Sequence, residues 1–318
     1  MKKERCLDVL KNFKGKKILV LADLMLDYYI WGVPKRISRE APVLILKKKE
    51  EWAVPGGGAN VVMNLKDLGA QPIPVGFVGE DLEGDILLNI FMKKNVNTNY
   101  IKKSKNFKTI KKVRILAGFE NASKQQIVRY DEENVSHIKK IDLPLNETDG
   151  IIISDYGYNS YDFSFLKKRN FSLPVIVDSR FRLNKFKGMT SITPNEEEAE
   201  FLTKMKISED FEAIEASEKI MEKLKPQAIL MTRGAKGILI HKKGCKPSLF
   251  PSHLRGYVAD TTGAGDTVLA VYTLSLLSGG SFEESAYIAN ISGAIKVKKL
   301  GTATVSYEEL KNEIERLP

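Results

Sequence analysis

Short, almost uninterrupted apolar runs of strand length recur at residues 17–21, 73–78, 150–153, 175–177, 191–193 and 228–231. Runs of three to six such residues predict strands buried on both faces. Between most of them the pattern changes period. At 59–68, 83–94, 195–204 and 211–224 the apolar residues fall three and four apart, which predicts amphipathic helices. Strands alternating with helices predict an α/β chain with a largely parallel sheet covered on both faces. Two stretches break the rhythm. Residues 42–52 and 109–131 carry β-branched, charged, strand-like runs with no helix between, and predict an antiparallel accessory sheet; the alternative is a pair of surface hairpins with no role. From Asp266 onward the pattern is helical at 267–277, 281–297 and 306–317, and Ser281-Phe282-Glu283-Glu284 is a capping box that fixes one helix start. No internal repeat or low-complexity linker interrupts the chain.

Composition adds mainly exclusions. A chain of 318 residues with 43% hydrophobic content can bury a large core and is too apolar for disorder. No stretch approaches a bilayer span, and the N-terminus opens on mixed charge rather than a signal sequence, so a cytoplasmic protein without a membrane partner is expected. Cys6 and Cys245 lie outside any CxxC or Cys/His spacing and read as ordinary buried or semi-buried thiols; His137, His241 and His253 are scattered and read as surface or loop residues. The net charge of +10 comes from 39 Lys against 11 Arg spread along the whole chain. That is a solvated surface able to attract anionic substrates rather than a focused nucleic-acid footprint, and no nucleic-acid partner is expected.

The chemistry concentrates in Gly263-Ala264-Gly265-Asp266, where a loop meets the apolar run 267–272. Small residues allow a tight turn, and the first N–H groups of the helix, with the positive end of its dipole, form an anion hole. A carboxylate there can take a proton from an attacking hydroxyl while the hole holds a phosphoryl group. Asp266 can equally be a helix cap, and the residues by themselves leave both readings open. Neither a GxxxxGK[ST] loop nor an HRD/DFG pair occurs, which excludes the common P-loop and protein-kinase signatures.

Asp260-Thr261-Thr262-Gly263-Ala264-Gly265-Asp266-Thr267 resembles the C-terminal signature of the ribokinase-like (PfkB) carbohydrate kinases, and Pro55-Gly56-Gly57-Gly58-Ala59-Asn60 resembles their glycine-rich sugar-site turn. The resemblance covers nearly the whole chain. It implies a Rossmann-type central sheet flanked by helices in a single domain, 1–318, with a small β-sheet lid at about 33–53 and 108–131. It makes Asp266 the catalytic base, with the backbone of Gly263, Ala264 and Gly265 as the anion hole. Asp260 and Thr262 fall where many members hold a K⁺-like ion. Asn195 and Glu198, in Thr193-Pro194-Asn195-Glu196-Glu197-Glu198, fall where Mg²⁺ and phosphates are arranged, partly through water; Asn195 also reads as a helix cap, and both can hold. Thr232, Gly234, Lys236 and Gly237 resemble the loop that passes ATP, and Asn290 the adenine-side position.

Residues 22–29 and 36–43 resemble more closely the bacterial heptose 7-phosphate kinases. That resemblance implies that Asp27, Gly57 and Asn60 meet sugar hydroxyls, and that ATP phosphorylates O1 of a sugar phosphate. A second phosphate needs a cation, with Arg36, Arg39, Lys111, Lys112, Arg114, Arg129 and Arg180 as candidates. The sequence departs from the branch at Ser154-Asp155-Tyr156-Gly157-Tyr158-Asn159, which lacks an expected lysine, and at Val177-Asp178-Ser179-Arg180, where Arg180 is the replacement cation. With the sequence ending at Pro318, the nucleotidyltransferase step that many heptose kinases carry in a further domain is expected to belong to another protein. The alternatives are a ribokinase-type enzyme acting on another sugar or nucleoside, and a non-catalytic binding protein of the same fold. A homodimer through the lid strands is expected.

Overall fold

The computed structural model describes residues 2–122, 124–133, 143–158, 163, 173–254 and 256–317. In chain order the elements are α1 (Lys3–Lys11), β1 (Lys17–Ala22), β2 (Leu24–Ile37), β3 (Leu44–Gly57), α2 (Gly58–Asp67), β4 (Gln71–Gly79), α3 (Leu82–Lys93) and β5 (Ile101–Ser104). Next come β6 (Ile110–Ala117), β7 (Gln125–Glu132), β8 (Gly150–Asp155), β9 (Val175–Ser179), β10 (Ser191–Ile192), α4 (Glu196–Thr203) and α5 (Asp210–Leu224). The chain continues through β11 (Ala228–Thr232), β12 (Ile238–Lys242), β13 (Ser248–Phe250), α6 (Ala264–Leu277), α7 (Phe282–Lys296) and α8 (Tyr307–Glu315).

Nine strands form the main sheet in the order β13-β12-β11-β10-β9-β8-β1-β4-β5. It is parallel from β11 to β5, with β12 and β13 antiparallel at one edge. The central strands are apolar throughout because helices cover both faces. Along β1, Ile18, Val20 and Ala22 enter one core and Leu19 and Leu21 the other, as the two-residue period of a strand requires. β1 has β4 on one side and β8 on the other, so the strand order reverses between β1 and β8. At such a point the loops diverge and leave a crevice beyond the carboxyl ends of the strands.

The second sheet, β3-β2-β6-β7, departs from expectation in two ways. Its longest contributor together with β3 is β2, a strand of 14 residues whose alternation is blurred by register shifts at Trp31/Gly32 and Pro34/Arg36. The sheet is also mixed rather than antiparallel, since β2 and β6 run parallel. This register faces Asp27 with Lys112 and Tyr29 with Arg114 on β6, and Tyr29 with Trp52 on β3, where the two rings stack at 5.2 Å.

Two minor expectations change. His241 is a buried β12 residue, packed against α5, whose Nδ1 meets Ser217 Oγ at 2.9 Å, and Cys245 is exposed. His253 lies in a loop with its ring edge-to-face on Tyr287, whereas His137 falls outside the described residues. The capping box at Ser281 forms, and no helix among the described residues is long and apolar enough to cross a membrane.

Candidate active site

α6 starts from Gly263, which has φ 78°, a left-handed backbone that side chains resist. A Cβ there would stand 2.7 Å from Asn60 Nδ2, so glycine also permits the close approach of α2. The Ala264 N–H turns back to Thr261 O at 3.1 Å. The N–H groups of Gly265 and Asp266 have no acceptor within the helix by virtue of their position, and Gly265 borders both clefts at this end of the sheet. The helix start therefore offers donors and a positive dipole end to an anion.

Asp266 does not cap this helix. Its Oδ2 accepts from Asn60 Nδ2 at 2.9 Å and its Oδ1 from the Tyr156 hydroxyl at 2.7 Å. Asp266 is 4% exposed, and burial pushes its pKa up to about 6 against the pull of those two donors. Asn60 is held in turn by Asn64, whose Nδ2 donates to Asn60 O and Oδ1 and whose Oδ1 accepts from Thr267 Oγ1 and Val305 N. This buried amide network fixes the first turns of α2 and α6 against each other. A carboxylate so placed is ionised at neutral pH yet basic enough to remove a hydroxyl proton.

The second sheet covers Asp266 with the side of β2 and β6 that carries Asp27, Lys112 and Arg114, all buried. Asp27 Oδ1 accepts from Arg114 Nη1 at 2.5 Å. Gly56 and Gly57 end β3 against this pair: a Cβ on Gly56 would lie 2.7 Å from the Asp27 carboxyl carbon, and one on Gly57, where φ is 50°, would lie 2.5 Å from Met25 Cε. Lys112 lies over the rings of Tyr156 and Tyr158, 5.3 and 5.6 Å from their centroids, and makes no ion pair among the described residues. Burial lowers its pKa. The other candidate cations divide differently. Lys111 pairs with Glu83 and Glu132, Arg129 with Asp131, and Arg36 and Arg39 are exposed.

Beside Asp266 opens a cleft of ≈ 400 Å³ whose lining includes Asp178, Arg180, Asn195, Glu198 and Gly265. Asn195 and Glu198 form a reciprocal capping box on α4, Asn195 Oδ1 accepting from Glu198 N at 2.8 Å and Glu198 Oε2 from Asn195 N at 2.9 Å. Burial raises Glu198 to about 7, and burial together with Glu198 and Asp266 raises Asp178 well above the usual carboxylate range. Two crowded acids in a cleft are a place where a divalent cation relieves repulsion. Arg180 is exposed at this rim, stacked on Phe181.

A second cleft continues past Gly265 and is lined by Thr232, Gly234, Gly237, Ala264, Val268, Asn290 and Ala294. Asn290 Nδ2 donates to Pro251 O at 2.7 Å, which orients its amide at the wall. Lys236 points elsewhere, its ammonium donating to Ser208 O. Each oxygen of Asp260 is engaged once: Oδ1 accepts from Thr262 N, Oδ2 from Gly301 N, and the main-chain O from Lys296 Nζ. Thr262 lies in the same turn, held by that first bond.

The structure thus places Gly263, Gly265 and Asp266 along one cleft with Asn195, Glu198 and Arg180, joins Asn60 to Asp266, and joins Arg114 to Asp27 with Gly57 packed against Tyr156. Sequence reasoning gave no role to Tyr156, Asp178 or Asp23, whose Oδ2 accepts from Tyr156 N at 2.8 Å and so sets the loop that carries the tyrosine. One signal could have found them. Asp23 follows β1, Tyr156 follows β8, Asp178 is the penultimate residue of β9 and Thr232 ends β11, so all lie at the carboxyl ends of parallel strands, where open α/β sheets build their sites.

The sequence model of the pfkB family carbohydrate kinases matches residues 16–155 and 166–309. Bifunctional protein HldE of Haemophilus influenzae is 35% identical over 320 residues, covering 96% of this chain and 65% of its own length. HldE of Sulfurimonas denitrificans is 36% identical over 319 residues, covering 95% and 65% respectively. The chain therefore spans about 65% of the length of these relatives. Among solved structures, ribokinase of Arabidopsis thaliana complexed with ribose and ATP superposes with a TM-score of 0.76 at 20% identity, covering 95% of this chain and 99% of that one. Phosphofructokinase-2 from Escherichia coli in complex with potassium gives 0.74 at 18% identity, covering 95% and 98%. The fold of these kinases is the fold described above, and with the family match running over most of its length this chain belongs to the pfkB family of carbohydrate kinases.

Proposed function

We propose that this kinase transfers the γ-phosphoryl group of ATP to a hydroxyl of a phosphorylated sugar, specifically O1 of heptose 7-phosphate. The observation that carries the phosphorylated acceptor is Lys112: a buried ammonium paired in register with Asp27, with the rings of Tyr156 and Tyr158 around it and no ion pair among the described residues. A buried cation left without a counter-charge is costly, and a phosphate on the substrate would supply one. The likeness to HldE supports the heptose, and the likeness to a ribokinase complexed with ribose and ATP supports the nucleotide.

In this reading the acceptor lies between the second sheet and the start of α6. Asp27, held by Arg114, accepts from sugar hydroxyls, and Asn60 holds Asp266 toward the reacting one. Asp266 takes the hydroxyl proton as the oxygen attacks the γ-phosphorus, ADP leaves, and the N–H groups of Gly265 and Asp266 stabilise charge on the transferring group. The nucleotide lies along the cleft lined by Thr232, Gly234, Gly237 and Asn290. Asn195, Glu198 and Asp178 fit Mg²⁺ held largely through water, and that ion would neutralise phosphate charge. Lys236, turned to Ser208, is left out of nucleotide contact.

A panel of acceptors with ATP tests the proposal by ADP release. Heptose 7-phosphate should exceed ribose in kcat/KM by about 10²-fold or more, since a site with a buried charge rejects a ligand that cannot pair with it. Equal rates on ribose would overturn the assignment. Lys112→Met should raise KM for the sugar phosphate by about tenfold or more, while sparing an unphosphorylated acceptor.

We further propose that a second copy of the chain covers the outer face of the lid, where Ile37, Val43, Leu44, Ile127 and Val128 are exposed. Light scattering should give twice the chain mass, and a monomer at micromolar concentration would exclude it.

A further inference from the structure

Lys296 ends α7 completely buried, a rare state for lysine unless it is paired. Its partners are carbonyls. Nζ donates to the main-chain O of Asp260 at 3.1 Å and of Lys299 at 3.2 Å, and it makes no ion pair among the described residues. Burial lowers its pKa to about 8, with the carboxylates of Asp260 and Asp266 pulling the other way, so the ammonium form prevails at neutral pH. The same corner is cross-linked around it. The Ala259 and Asp260 N–H groups donate to Val297 O, and the Asp260 carboxylate binds Thr262 N and Gly301 N at 2.8 and 2.9 Å. The segment that leads into the catalytic turn is thus tied to the end of α7, whose last carbonyls form the negative end of a helix dipole.

A monovalent ion behind this turn would need the same oxygens. Each carboxylate oxygen of Asp260 already accepts one main-chain N–H, and the carbonyls of Asp260 and Lys299 already face the Lys296 ammonium, whose charge would repel a second cation. The residues present therefore do not fit the K⁺ site that the sequence led us to expect at Asp260 and Thr262. We propose that the Lys296 ammonium is a built-in monovalent cation, which holds the Asp260–Gly265 turn in its anion-binding shape and makes the enzyme indifferent to K⁺. A potassium ion and an ammonium group are alike in charge and size, and both bind clustered carbonyls. Lys296 is a positioning residue: it acts through the turn and reaches neither substrate.

The inference presupposes that this turn binds phosphate, and its test separates the two claims. The purified protein is compared in KCl and in tetramethylammonium chloride of equal ionic strength, by the Tm, by the Kd of AMP-PNP with Mg²⁺, and by kcat on the best acceptor found. The wild type should change less than about twofold in Kd and kcat, with no K⁺-dependent rise in Tm, because an ion that does not bind the native state does not stabilise it. Lys296→Met should lose about tenfold or more in kcat and in nucleotide affinity without K⁺. KCl should restore much of both, and raise the Tm, where LiCl does not. A purely structural lysine would show no such ion-specific rescue. Lys296→Arg keeps the charge and should remain indifferent to K⁺. Activation of the wild type by K⁺ of about tenfold, or a Lys296→Met protein that matches wild type with or without K⁺, would overturn the proposal. If Lys296→Met does not fold, the wild-type comparison decides, and if no sugar is phosphorylated, Tm and nucleotide affinity still read the ion.

Discussion

Replacing Asp266 by Asn removes a charge and almost no volume. In the native protein burial lifts the carboxyl from 3.8 to about 6, which corresponds to about 3 kcal/mol set against its ionised form. The folded pKa is the raised one, so between about pH 4 and pH 6 the folded state keeps a proton that the unfolded chain has released. The penalty is absent below pH 4, grows through that window and is complete above it. Asn is neutral throughout. Its Oδ1 can accept from either Asn60 or Tyr156, while its NH₂ group faces the other donor at a cost of about 1 kcal/mol. The variant should therefore be more stable than wild type by about 2 kcal/mol at pH 8 and no more stable at pH 4. Its kcat should fall by about 10² to 10⁴ with nucleotide affinity retained, because a proton acceptor is lost and the cleft is not. Urea unfolding at the two pH values, with ADP release at pH 8, measures both effects. Turnover close to wild type would remove Asp266 from the chemistry, and a stability difference that ignores pH would show that its burial is not what raises its pKa.

Two further substitutions test the surroundings of that carboxylate. Tyr156→Phe deletes the donor to Asp266 Oδ1 and should raise the base's pKa above about 6, moving the acidic limb of the kcat/KM profile to higher pH; an unmoved limb would mean that the hydroxyl does not tune it. Gly263→Ala places a methyl 2.7 Å from Asn60 Nδ2 on a backbone with φ 78°, and should cost more than about 1 kcal/mol in thermal or urea unfolding and lower kcat through displacement of Asn60; a neutral substitution would show that the turn relaxes freely.

The alternation of apolar runs with amphipathic segments determined the main sheet and its covering helices, because period and strand length are local properties of sequence. The tight turn and helix start at Gly263-Ala264-Gly265-Asp266 were legible for a similar reason: they depend on neighbouring residues of one turn. Long-range pairing was not legible. β2 carries Gly32, Pro34 and two register shifts, and its parallel pairing with β6 joins strands more than 70 residues apart, so no local period announces it. The same holds for the fate of charges. Asp27 and Arg114 read as two separate ligands, and the fold joins them to each other. Lys112 is adjacent in sequence to Lys111, yet opposite sides of one strand send Lys111 to two glutamates and Lys112 to the rings of Tyr156 and Tyr158. Lys296, in a lysine-rich helix end that resembles any solvated surface, lies in the interior because α7 packs its last turn against the segment at Asp260. Sequence alone determined which groups this protein possesses and which elements carry them, whereas tertiary structure decided which are already engaged with one another and which remain for substrate, since that depends on strand partners and packing that no local pattern encodes.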